Sequence, residues 1–266
     1  MENLVPFATR ALKASVLAAA VATTLVSCGG SDSGGAATGA VANNAVASSA
    51  VTTAKIVPPG GTFHGHTYAE WAAAFWQWAL ALPLAPLQHP FAACNSADRP
   101  ISADQTGSVW FWSAPDTIGS CNQSAVVIPA GKAVFLTMLD VEASSLDDPP
   151  FRATTYVEQK AIAEKFASRI GDLFCFIDGQ QVPNITAYFA ETQQFHFHAP
   201  SPWIFETTGG NGTSVGAGYF LMLQLPPGTH TIRYGGAFHL QANDLYPGSS
   251  PLDIQKDITL TVTMGG

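Results

Sequence analysis

The sequence predicts a mainly β protein: an antiparallel β-sandwich, jelly-roll or Ig-like, with one buried N-terminal helix and one surface helix. Three observations predict it. Short apolar or alternating runs recur from residue 109 onward, Pro, Gly, Asn and Asp punctuate them, and only two segments carry helical periodicity.

The chain opens differently. Arg10 and Lys13 precede an uncharged stretch of 13 residues, Ala14 to Val26, and then Leu25-Val26-Ser27-Cys28. A permanent membrane helix needs roughly 20 apolar residues, so the stretch reads as the core of a secretory signal. The tetrapeptide resembles the bacterial lipobox, which implies cleavage before Cys28 and lipidation of its thiol. With Gly29 rather than an aspartate next, the resemblance points to the cell envelope and to the outer membrane where there are two. Residues 1–27 are therefore expected to be the signal peptide. Residues 28–56 are almost all Gly, Ala, Ser, Thr, Val and Asn and cannot bury enough apolar surface to fold. As a flexible tether they would span on the order of 30 Å. A single sandwich domain is expected over 57–266.

The first helix is announced by Thr67-Tyr68-Ala69-Glu70, a capping box, followed by Tyr68, Trp71, Phe75, Trp78 and Leu82 at helical spacing and closed by Pro83. Trp76 and Leu80 widen its apolar stripe, so it should be buried against a sheet. Cys94 and Cys121 lie in segments rich in Gly, Pro, Ser, Asn and Asp, and an exported chain permits them to form a disulfide. Strands are expected at Val109–Trp112, Ala125–Ile128 and Ala133–Leu139. A second, amphipathic helix is expected from about Thr154 to Ile170, stopped by Gly171. Further strands follow at Asp172–Ile177, Ile185–Phe189, Gln194–His198, Tyr219–Leu225, His230–Tyr234 and Ile258–Thr263, with Asp178-Gly179 as a hairpin turn. Cys175, in the apolar run Leu173–Phe176, reads as a free buried thiol.

Several of these segments together carry a resemblance. Tyr68-Ala69-Glu70-Trp71, Phe75-Trp76-Gln77-Trp78, Gly107-Ser108-Val109-Trp110-Phe111, Cys121, Ile128-Pro129-Ala130-Gly131-Lys132-Ala133 and Asp140-Val141-Glu142 resemble a family of uncharacterised secreted bacterial proteins with a Trp-rich first helix. The likeness runs over most of residues 63 to 263. It implies one exported domain and assigns no functional residue.

A formal charge of −8, which falls by one when the signal leaves, disfavours nucleic acid as a partner. His196 and His198 share one face of a strand, Asp140 and Glu142 have the same spacing at the end of another, and His64 and His66 flank Gly65. Any two pairs brought together would supply ligands for a divalent metal, zinc or copper. The plainer reading makes each pair the solvent face of its strand. Asp140, Glu142 and Glu206 are also the acids to examine for a paired-carboxylate site, which needs two acids about 5 to 9 Å apart. Trp110 and Trp112 on one strand face, with Trp203 in a loop, are candidates for stacking a glycan or other flat ligand, against the alternative that they are core. Gly212-Thr213-Ser214-Val215-Gly216 matches a serine-hydrolase elbow but leads into a strand, so it is taken as coincidence. Thr207 to Gly218 reads as a glycine-rich loop. The leading expectation is a lipid-anchored, non-catalytic domain that binds a glycan or protein ligand; the alternative is a metal-dependent hydrolase.

Overall fold

The structure is a computed structural model that describes residues 53–266; the expected signal, Cys28 and residues 28–52 of the tether lie outside the described residues. In chain order the elements are β1 (Lys55–Ile56), the hairpin β2 (Thr62–Phe63) and β3 (His66–Thr67), helix α1 (Tyr68–Ala81), β4 (Val109–Trp112), β5 (Ile118–Ile128) and β6 (Ala133–Ser144). Helix α2 (Tyr156–Ala167), β7 (Ile170–Ile177), β8 (Gln180–Gln181), β9 (Phe189–Glu191), β10 (Phe195–Ala199), β11 (Gly210–Gln224), β12 (Gly228–Leu240) and β13 (Leu252–Met264) complete it.

Two sheets face each other. One runs β1-β11-β6-β4, with β9 and β10 also paired to β11; the other runs β5-β13-β12-β7-β8. Most pairings are antiparallel, but β4 with β6 and β13 with β5 are parallel. Between the sheets lie Leu136, Leu221, Tyr234, Ile258 and Leu260, all fully buried, while Phe135, stacked on Phe220, turns to the opposite face beside Phe111 and Tyr68 of α1. Each such side chain contributes about 1.5–3 kcal/mol by leaving water.

Helix α1 begins as its sequence dictates. The Glu70 amide donates to Thr67 Oγ1 at 3.3 Å and the Thr67 amide donates to Glu70 Oε2 at 2.7 Å. Phe75 and Trp78 pack on Phe111 of β4, with ring centroids 6.1 and 5.6 Å apart. Trp112, the next residue of β4, turns to the other sheet and donates its indole N–H to the Tyr234 hydroxyl at 2.9 Å. The Asp178-Gly179 turn joins β7 to β8 with φ of 50° and 78°, both left-handed, as a two-residue hairpin requires.

Three expected elements differ. Residues Ile185–Tyr188 form a 3-10 turn rather than a strand, entered through Asn184 at a left-handed φ of 51°. Helix α2 ends at Ala167, and Gly171 sits inside β7 opposite Ala237. A Cβ there would come within 3.1 Å of the His239 ring, so this glycine serves close strand approach rather than a helix stop. The glycine-rich stretch from 210 to 218 is strand, continuous with the rest of β11 and paired on both sides. Among the described residues no helix is long and apolar enough to cross a membrane.

Candidate functional site

β4 pairs with β6 only from Ala133 to Leu136, while β6 runs on to Ser144. The edge of β6 past Leu136 therefore has no strand partner until an isolated bridge joins Ser144 to Arg152. A cleft of about 130 Å³ opens along it, lined by Asp140, Val141 and Glu142 of β6 and by Ser113, Ala114 and Asp116 where the chain leaves β4. Residues from both helices and both sheets close the remaining sides.

One wall is aromatic. Trp76 of α1 meets Phe91 edge-on at 5.8 Å, and Phe91 stacks on Phe205 at 6.1 Å. Phe91 is placed by His89, whose Nδ1 accepts from the Phe91 amide at 3.2 Å while Nε2 donates to the last-turn carbonyl of Ala79 at 3.0 Å. Burial holds the His89 imidazole neutral by lowering its pKa to about 4, so one nitrogen is free to accept. On the other side Phe151 and Phe166 pack at 4.5 Å, beside Phe238 and Leu240 of the second sheet.

The polar floor is built on two glycines of β11. Gly216 is the cross-strand partner of Glu142 and Gly218 that of Asp140. A Cβ on Gly216 would lie 2.5 Å from Trp76 Cδ1 and Nε1, and one on Gly218 would lie 2.5 Å from Asp140 Cβ. Only glycine lets the indole and the carboxylate sink onto the strand. The indole is 3 % exposed and its Nε1 donates to nothing; Asp140 Oδ2 is likewise buried and accepts from nothing. Leaving a buried polar atom unpaired costs about 1–3 kcal/mol, so two of them in one cleft mark a place shaped for something else.

Burial raises the Asp140 pKa to about 7, Lys256 partly offsetting it and Asp116 adding to it. Two residues on, burial holds Glu142 well above the usual carboxylate range, and the neighbouring Asp147 carboxylate pushes it further. Glu142 is thus the protonated member of a carboxyl–carboxylate pair, while Ser214 Oγ donates to its Oε2. Asp147 is the acceptor; the Ser144 hydroxyl and amide donate to its Oδ2 at 2.8 and 3.1 Å. Burial leads its rise to about 6, against those hydrogen bonds. Lys256, 2 % exposed on β13, donates to the Ala114 carbonyl at 2.9 Å and pairs with Asp116 Oδ1 at 3.1 Å.

The sequence-predicted residues separate into those the cleft gathers and those it does not. Asp140, Glu142 and Glu206 all line it; Asp140 and Glu142 lie inside β6 rather than at a surface strand end. His196 and His198 are exposed on β10, His198 bonded to Asn211 at 2.9 Å. His64 and His66 stand in the β2–β3 hairpin, His64 bonded to Ser108 and His66 beside Glu70. The expected metal set of His196, His198, Asp140, Glu142, His64 and His66 does not converge. Among the described residues no group of three or more His, Cys, Asp or Glu has a geometry that holds a metal.

Trp110, Trp112 and Trp203 are 8 %, 4 % and 2 % exposed, so they are core and offer no stacking face to solvent. Ser214 lies mid-strand, bonded to Glu142 and to the Ala143 carbonyl, where no elbow can present its hydroxyl. Cys94 and Cys121 are bonded, and Cys175 is free and buried with its thiol pKa pushed up to about 12 by desolvation. Trp76, Asp147, Asp116 and Lys256 are the site residues that sequence reasoning missed. No known family, curated protein or solved structure matches this chain.

Proposed function

We propose that this chain is an exported, lipid-anchored binding protein whose folded domain holds a small amphipathic molecule in the cleft beside β6. The observation that carries the reading is the pair of buried, unpartnered polar atoms, Trp76 Nε1 and Asp140 Oδ2, set among aromatic walls. A concave apolar site with a few convergent polar groups is the usual form of a small-molecule site. The signal-like segment before Cys28, the composition of 28–56 and the resemblance to secreted bacterial proteins support export and anchoring.

Two measurements test it. A fragment library of cationic, neutral and anionic members, screened by NMR on the mature chain, should yield binders whose shifts cluster on cleft residues; binders scattered over the surface would refute the cleft. Metabolic labelling with an alkyne-bearing palmitate should mark the chain and fail for Cys28→Ser. Equal labelling of the variant would refute the anchor.

A second reading has its own support. A protonated Glu142 beside an ionised Asp147 is the arrangement of a general acid held ready by a like-charged neighbour. Turnover of a glycoside by the native chain and its loss in Glu142→Gln would favour catalysis over binding alone.

A further inference from the structure

Building on the cleft reading, we infer that the ligand is an organic amine carrying an oxygen acceptor on an apolar body, of the amino-alcohol class, with its ammonium group on Asp140 and its oxygen beneath Trp76. The two orphaned atoms ask for opposite partners. Once ionised, Asp140 Oδ2 only accepts, and the indole N–H only donates, so a ligand that meets both brings a donor and an acceptor together. Trp76 packs over Gly216 and Asp140 lies beside Gly218, its cross-strand partner, and these two positions on one face of β11 are about 7 Å apart along the strand. Two polar groups held at neighbouring positions of one strand face call for a compact pair, an amine and a hydroxyl on adjacent or near-adjacent carbons.

Charge selects the cation over a neutral polyol. The cleft carries the carboxyls of Asp116, Asp140, Glu142, Asp147, Asp148 and Glu206 against one ammonium, Lys256. Lys256 is matched to Asp116, and Glu142 with Asp147 keeps one charge between them, so the site is net negative before the outer carboxyls are counted. An anionic ligand is repelled. The ring faces of Trp76, Phe91 and Phe205 attract the cation and receive the apolar body. The acids do not stand alone in the cleft: the Trp76 indole is 97 % buried yet donates to nothing.

The probes are phenylalaninol, the neutral 3-phenylpropane-1,2-diol, anionic hydrocinnamate and phenethylamine, titrated calorimetrically and by NMR into the mature chain. Phenylalaninol should bind at least tenfold more tightly than the diol, and hydrocinnamate should not bind. Asp140→Asn, which keeps shape and removes charge, should abolish that preference. Trp76→Phe, which keeps a ring and removes the donor, should bind phenylalaninol no better than phenethylamine, a loss of roughly threefold to tenfold. Affinity for phenylalaninol should rise from pH 5 to pH 8 as Asp140 ionises among Lys256, Asp116, Tyr234, Glu142 and Asp147. A diol that binds as tightly as phenylalaninol, or a preference for hydrocinnamate, would overturn the amine while leaving the cleft as a binding site. If no probe moves the Trp76 indole resonance, the cleft reading itself falls.

Discussion

Asp140 gives the account a thermodynamic handle. Its carboxyl has a pKa near 7 in the folded chain against 3.8 when free, so the folded state holds a proton that the unfolded state releases. Stability from this group is complete below the unfolded value and is lost as pH rises through 7. A difference of roughly 3 units corresponds to about 4 kcal/mol, and relaxation around the charge makes about 2–4 kcal/mol the working range. Asp140→Asn has no proton to lose. Its stability relative to the native chain should therefore climb by about 2–4 kcal/mol between pH 4 and pH 8. Any steric effect of the amide is constant with pH, and Glu142 with Asp147 titrates in both proteins, so the slope isolates Asp140. Urea unfolding followed by tryptophan fluorescence at several pH values measures it. An Asn variant whose offset from the native chain stays flat from pH 4 to pH 8 would refute a buried, proton-holding Asp140.

Other outcomes follow from single contacts. Reducing Cys94–Cys121, which closes a loop with a sequence separation of 27, should cost about 3.5 kcal/mol in urea unfolding on the chain-entropy model. Gly216→Ala drives a methyl into the Trp76 ring and should cost about 1–3 kcal/mol while displacing the indole resonance. Trp112→Phe strands the Tyr234 hydroxyl, buried between the sheets, and should cost about 1–3 kcal/mol beyond its small volume change. The double substitution His196→Ala, His198→Ala touches exposed side chains and should change stability by no more than about 0.5 kcal/mol per site, with ligand binding intact.

Local chemistry made much of the fold legible. The Thr67–Glu70 capping box, the Asp178-Gly179 hairpin, the Cys94–Cys121 bond, the unbroken apolar run of β4 and the alternation of β10 each rest on interactions within a few residues or on a composition that permits them. The site was less legible because its residues break the local pattern in favour of distant partners. Asp140 and Glu142 read as a strand end, since two acids two residues apart normally face water. They turn inward because Gly216 and Gly218 clear the space and Trp76 covers it, contacts that span the chain. One signal was available. Ile254, Lys256, Ile258, Leu260, Val262 and Met264 alternate along β13, and Lys256 occupies an inward position of that series. A lysine on the apolar face of an alternating strand asks for a buried acid, and Asp116 supplies it.

The most direct measurement is the indole N–H spectrum of the chain labelled with ¹⁵N-tryptophan, recorded before and after adding phenylalaninol. Trp71, Trp78, Trp112 and Trp203 donate to internal acceptors, whereas Trp76 does not. Binding in the cleft predicts a large downfield shift of the Trp76 resonance alone as its N–H gains a partner, with the Trp112 and Trp203 resonances unmoved. Saturable binding that leaves Trp76 in place, or that shifts Trp112 and Trp203 instead, would contradict the assignment of this cleft as the site.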